Sequence, residues 1–251
     1  MDEFQLINSY FSKISKKNKY ALNLNDDVFF DYKNGVVVSV DTYNIKKHFI
    51  NFDHPELVFK KILRSSISDL VCKGVLPKFY FISGSGNKKI FNKKNLLKIS
   101  KSLEEEQKKF KIFLSGGDTT FSNQASFTII TLGYSNKIIL RNKAELNDDI
   151  YVTGNLGDSF LGLEILKKRI KTNKNLSTYF IKKYYKPDIH LNISKYLLRF
   201  ANTSIDISDG LFNDLKKMIN KQNLSFCLDL EKIPISNPMK KIIKIKKLKK
   251  A

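Results

Sequence analysis

Cysteine, histidine and arginine are the scarce residues of this 251-residue chain, with two, three and four copies. Cys72 and Cys227 have no metal-type spacing and fall in a predicted helix and a predicted strand, which reads as buried reduced thiols with no part in catalysis. No conspicuous catalytic histidine stands out either. Arginine occurs only at Arg64, Arg141, Arg169 and Arg199, although Lys and Arg together number 45 against 24 Asp and Glu, a net charge of +21. A nucleic-acid binder would gather arginines and aromatics on one element. Here the charge is lysine, spread along the chain beside abundant Asn and Ile, and it reads as compositional bias with a smaller contribution to attracting anionic substrates. No run approaches the roughly 20 apolar residues of a membrane helix. The opening Met1-Asp2-Glu3-Phe4 is unlike a signal peptide. The expectation is a cytoplasmic protein with neither nucleic acid nor membrane as partner.

With 42% hydrophobic and 12% aromatic residues, the chain can build a core for one large domain or two modest ones. Gly35 precedes a strand over Val36 to Val40 that delivers Asp41 at its end. Pro55 opens a helix with apolar residues at helical spacing, and Gly74 is placed to close it. A strand at Phe79 to Ser83, a helix from about Lys93 to Phe110, and strands at Ile112 to Ser115 and Ser126 to Gly133 complete an α+β half, residues 1–136. A second unit, residues 137–251, has predicted strands at Ile150 to Thr153, Ser204 to Ile207 and Ser225 to Asp229. It has predicted helices at Asp158 to Ile170, near Asp188 to Phe200 and from Leu211, with a Lys/Asn-rich loop between the first two. The basic tail from Lys240 reads as a solvated strand or a disordered end.

Carboxylates collect where predicted elements end: Asp26-Asp27, Asp41 after Ser39, Asp69 after Ser68, Asp118 after Gly116-Gly117, and Asp206 and Asp209 in Asp206-Ile207-Ser208-Asp209-Gly210. Such groups suit a hard cation, and Mg²⁺ shares one or two carboxylates with substrate phosphates. A Mg²⁺-dependent phosphoryl transfer is the leading idea. Each motif also has a plainer reading. Gly116-Gly117 can be an ordinary turn, Asp26-Asp27 a solvated pair, Ser208 or Asp209 a helix cap, and Asp158 after Gly154-Asn155-Leu156-Gly157 another cap or part of an anion-receiving helix start. Asp69 sits in the last turn of its helix, an unfavourable place for a carboxylate unless a cation is near. His48 can be a packing residue beside Phe49, and Arg141 is a rare arginine where lysine is the default.

Taken in order, the motifs resemble the thiamine-monophosphate kinases of the aminoimidazole ribonucleotide synthetase-like superfamily. The pieces are Asn25-Asp26-Asp27, Asp41 with His48-Phe49, Ser68-Asp69-Leu70 with Gly74 and Pro77, Gly116 to Thr119, Arg141 with Ala144 and Asp148 followed by Val152 to Asp158, and Asp206 to Leu215. The resemblance implies a two-domain α+β architecture whose N-terminal halves pair into a homodimer. It implies several Mg²⁺ ions held by Asp26, Asp41, Asp69, Asp118, Asp206 and Asp209, with Ser39 near one of them. Arg141, Ser208, Gly116 and Gly117 would contact ATP, and His48 would contact thiamine monophosphate. No residue is assigned as a general base, because a phosphate oxygen is already anionic at neutral pH. The family's Gly-Gly-Glu-Asp-Tyr-Glu-Leu segment does not occur before Ala251, so the second domain is expected to be incomplete. The alternatives are another ATP-using enzyme of the superfamily or a non-catalytic nucleotide or thiamine-phosphate binding remnant.

Overall fold

The computed structural model describes residues 3–246. Two short helices, α1 (Glu3–Leu6) and α2 (Ser12–Ser15), flank a π-helical turn and precede a five-stranded sheet. Its strands are β1 (Phe29–Asp31), β2 (Val36–Asn44), β3 (Pro77–Gly86), β4 (Phe113–Phe121) and β5 (Ser126–Tyr134), in the spatial order β1-β2-β5-β3-β4. β5 lies antiparallel to both β2 and β3, whereas β4 runs parallel to β3. A parallel pair requires a crossover, and helix α4 (Lys93–Phe110) supplies it.

The core follows from two periodicities. Along β5 burial alternates, so that Phe127, Ile129 and Thr131 share the covered face. Against it lies helix α3 (Pro55–Cys72), with Pro55 in its first turn, whose stripe Val58, Ile62, Leu63, Ile67 and Leu70 is fully buried. Burial of each such side chain contributes about 1.5–3 kcal/mol. Phe52 stacks on Phe127 at 5.5 Å between centroids, and Phe59 meets the same ring edge-on at 4.8 Å. β4 differs from its neighbours: all of its residues are exposed, Phe113 to 54% and Phe121 to 73%.

The second half is built on helices α5 (Asp158–Leu166), α6 (Lys174–Tyr185), α7 (Leu191–Phe200), α8 (Leu211–Met218) and α9 (Asn237–Lys246). Leu161, Phe180, Met239 and Ile242 make a small core of their own. A Cβ on Gly162 would stand 2.2 Å from the Phe180 carbonyl oxygen, so the close approach of α5 and α6 requires glycine there. Tyr184 and Tyr185 join the main core beneath α3 and tie the halves together.

Several sequence expectations are corrected. Residues 150–153, 204–207 and 225–229 form no strand among the described residues. Their composition suits a sheet, but strand formation depends on a partner, and the backbone near Ser204 is bonded by side chains instead. Lys73 Nζ donates to Ser204 O, and Thr203 Oγ1 donates to Leu140 O. The expected Lys/Asn-rich loop contains α6, capped by the Asn173 side chain and carrying Leu176, Phe180 and Tyr184 on one stripe. The tail forms α9 as far as Lys246, because Met239, Ile242 and Ile243 fall at helical spacing; its last residues lie outside those described. Strands β2 and β4 run on through Asp41 and Asp118, which therefore sit within strands, not at their ends. Cys227 is exposed rather than buried.

Candidate active site

β2 and the last turns of α3 build the centre of the site. Strand alternation puts Ser39, Asp41 and Tyr43 on one face of β2, opposite Ser66, Asp69 and Lys73 at helical spacing on α3. Ser39 Oγ donates to Asp69 Oδ2 at 2.6 Å. Asp41 Oδ2 accepts from the Tyr43 hydroxyl at 2.9 Å and from Ser66 Oγ at 3.2 Å. From the second half, Asp206 Oδ2 accepts from Ser68 Oγ at 2.6 Å. Burial, reinforced by the charges of Asp206 and Asp41, pushes the Asp69 carboxyl well above the usual carboxylate range. Burial likewise raises Asp206. A group of carboxylates that the protein neither exposes nor fully neutralises is an all-oxygen donor set for a hard cation. Asp41, Asp69, Asp206 and the Ser39 hydroxyl are oxygen donors of the kind that Mg²⁺ takes.

Asp26 and Asp27 are in a different state. Lys73, fully buried, places Nζ 2.7 Å from Asp26 Oδ1 and 3.0 Å from Asp27 Oδ2. Arg141 grips Asp27 through Nε at 3.0 Å and through Nη2, while its backbone N–H donates to Asp26 Oδ2 at 2.9 Å. The Arg141 fork is thus held by a carboxylate, the bidentate geometry that arginine favours.

His48 follows β2. Its Nδ1 accepts from the Asn44 N–H at 2.8 Å, which leaves the proton of the neutral ring on Nε2 as a donor. Burial and the neighbouring Lys47 and Lys61 hold its pKa below the usual histidine value. The ring meets Tyr43 edge-on at 5.7 Å, and the His48 carbonyl accepts from the Tyr184 hydroxyl at 3.3 Å. Lys61 Nζ lies 3.7 Å from the centre of the Tyr184 ring. It has no carboxylate or hydrogen-bond acceptor among the described residues, and burial alone pushes its pKa down to about 8.

Other expected site residues are placed apart. Gly116 and Gly117 are strand residues, not a turn: a Cβ on Gly117 would stand 1.8 Å from the Ile82 carbonyl oxygen, at a φ of +157°. The register runs Asp41 to Ile129, Ile129 to Ile82, and Ile82 to Gly117. Three ladder steps of about 4.8 Å put Asp118 about 14 Å across the sheet from Asp41. Asp118 is exposed on the edge strand. Asp209 is also exposed, paired to Lys217 at 2.5 Å. Neither Ser208 nor Asp209 caps α8. Buried Asp214 does the work, accepting the backbone N–H groups of Ser208, Asp209 and Gly210 on Oδ2 at 2.9, 3.0 and 3.0 Å. Asp158 is not a cap but a buried acceptor for Tyr179 and Ser236.

The N-terminal half, residues 24–134, matches the family described as AIR synthase related protein, N-terminal domain. A thiamine-monophosphate kinase of Buchnera aphidicola is 35% identical over 93% of this chain and 74% of its own length. One from Leptospira interrogans is 31% identical over 84% of this chain and 69% of its own. The chain belongs to the thiamine-monophosphate kinase family. A solved structure of AaThiL complexed with AMPPCP and TMP is similar throughout, with 26% identity, a TM-score of 0.87, and coverage of 99% of this chain and 79% of that one. Against this family frame, the residues to which sequence reasoning gave no role are Lys73, Lys61, Tyr43, Ser66 and Asp214. Lys73 left one trace: it shares a helical stripe with Ser66 and Leu70, so a charge falls on the buried face of α3.

Proposed function

We propose that this chain transfers the γ-phosphoryl group of ATP to thiamine monophosphate, giving thiamine diphosphate and ADP. The observation that carries the reading, beyond family membership, is buried Asp69 beside Ser39, with half-buried Asp41 and Asp206 next to it. Phosphoryl transfer asks for positioning and charge neutralisation and for little covalent chemistry from the protein. Bound Mg²⁺ would supply the neutralising charge at the β and γ oxygens. Asp41, Asp69 and Asp206 would hold it, and the hydroxyls of Ser39, Tyr43, Ser66 and Ser68 orient those carboxylates. His48, through Nε2–H, and Lys61, whose ammonium has no anionic partner among the described residues, would receive the acceptor's phosphate. The attacking phosphate oxygen is anionic at neutral pH, so no side chain is needed as a base.

The exposed β4 is supported as the face of a homodimer by its apolar residues Phe113, Leu114 and Phe121. The two halves, 1–136 and 137–251, would act as lobes on either side of the carboxylates. A cytoplasmic location accords with ATP as co-substrate. The test is incubation of the purified chain with ATP, Mg²⁺ and thiamine monophosphate, followed by chromatography of the thiamine esters. Formation of thiamine diphosphate and an equal amount of ADP is expected. ADP without thiamine diphosphate, or neither product, would overturn the reading.

A further inference from the structure

We infer that Lys73 is a built-in cation: its ammonium stands between Asp26 and Asp27 where the family resemblance calls for a metal ion, and so withdraws Asp26 from the metal-ligand set. The inference rests on the proposed reading only in taking the other carboxylates as the metal's holders. The side chain of Lys73 is 0% exposed, and its three donors meet three oxygens, Asp26 Oδ1 at 2.7 Å, Asp27 Oδ2 at 3.0 Å and the Ser204 carbonyl at 3.0 Å. An ammonium has three N–H groups and no acceptor. Its demand is therefore met in full.

Three of the four acceptor positions of Asp26 are taken. Oδ1 takes Lys73 and the Asp27 N–H at 2.8 Å, and Oδ2 takes the Arg141 N–H at 2.9 Å, with the side chain only 4% exposed. Two carboxylates here face two cations, Lys73 and Arg141, and the charges balance. A divalent ion added at this point would meet two positive groups and carboxylate oxygens that all already accept hydrogen bonds, whereas Mg²⁺ requires several oxygens in near-octahedral array. Asp69 is the opposite case, because its hydrogen-bond partner is a neutral hydroxyl, and Asp206, bonded by the Ser68 hydroxyl, feels Lys73 only as a neighbour. Lys73 is also the C-cap residue of α3, where the helix end favours a positive charge. The ammonium thereby fastens the Asp26 loop, the end of α3 and the Ser204 segment together whether or not metal is bound.

The deciding measurement is the number of Mn²⁺ ions bound per full-length chain, read by electron paramagnetic resonance and by calorimetry in the presence of a non-hydrolysable ATP analogue. Asp26→Asn is expected to bind as many Mn²⁺ as the wild type, whereas Asp69→Asn loses at least one. Lys73→Met, which frees the two carboxylates, is expected to gain one. Loss of a Mn²⁺ in Asp26→Asn, or an unchanged count in folded Lys73→Met, would overturn the inference. If Lys73→Met does not fold, the Asp26→Asn count decides alone. A wild type that binds no Mn²⁺ would instead sink the metal reading of the active site, and one site appearing in Lys73→Met would still support the role of Lys73.

Discussion

Ser39 and Asp69, from the middle of β2 and the last turn of α3, are joined by a 2.6 Å hydrogen bond in which the hydroxyl donates to the carboxylate. That bond favours the ionised form of Asp69, yet burial and the charges of Asp206 and Asp41 outweigh it. The carboxylate is held in a place that costs the fold stability, a pattern common where a site is built for a ligand's charge.

Asp69→Asn keeps the shape and removes that charge. Without divalent metal the variant should be more stable than the wild type by about 0.5–2 kcal/mol, the usual range for relieving an active-site liability. Mg²⁺ should raise the wild-type melting temperature more than the variant's, and turnover should fall about 100-fold or more, as when an electrostatic contact to the transition state is lost. Melting curves in EDTA and in Mg²⁺, with the product assay, check both.

Lys61 carries a pH prediction. Only the ammonium attracts a phosphate, and its pKa of about 8 means that the charged fraction falls as pH rises through 8. The KM for thiamine monophosphate should therefore climb above about pH 8 while the KM for ATP stays level. The other groups bearing on this corner are His48, already neutral there, and Lys47. Lys61→Arg stays charged throughout, so its KM profile should be flat over pH 7–9. A wild-type profile that is also flat would remove Lys61 from the acceptor site.

Arg64 and Glu106 pair across α3 and α4 with both nearly buried, Nε to Oε2 at 2.6 Å and Nη2 to Oε1 at 2.9 Å. Glu106→Ala leaves the guanidinium buried with only the Pro187 carbonyl as acceptor, and should cost about 3–5 kcal/mol in urea unfolding. Arg64→Met with Glu106→Leu should recover most of that loss. A double variant as unstable as the single one would show that the pair is valued for more than its charges.

Gly117→Ala should separate β3 from β4, since its methyl would overlap the Ile82 carbonyl. A loss of about 3 kcal/mol or more is expected from this backbone clash, at the severe end for single substitutions. Near wild-type stability would require the strands to adopt another register.

Phe121→Asp tests the exposed strand. If β4 is where two copies meet, the charge should halve the mass seen in sedimentation and leave the melting temperature of the monomer within a few degrees. An unchanged mass would place any self-association elsewhere.

Much of the first half was legible because its signals are local. α4 runs from Lys93 to Phe110 as expected, with the Asn92 side chain as its cap, and α3, read from its apolar spacing, ends just before Gly74. The order of the motifs singled out Asp41, Asp69 and Asp206 as candidates. Lys73 was hidden because a lysine ordinarily reads as solvated, and only the arrival of Asp26, Asp27 and Ser204 from remote parts of the chain buries it. The separation of Asp118 from Asp41 was equally invisible, since it depends on the register of four strands. In the second half, β-rich segments misled for the same reason: composition proposes a strand, but a distant partner decides it.

One oxygen of Asp214 gathers three consecutive backbone N–H groups from Ser208 to Gly210, while Lys217 lies 3.2 Å from the other oxygen. The conformational freedom of that loop is surrendered when the chain folds. If the nucleotide docks beside Ser208, as the family resemblance implies, it would meet backbone already in place, and its affinity would be spared the entropic loss that a floppy glycine-containing loop imposes.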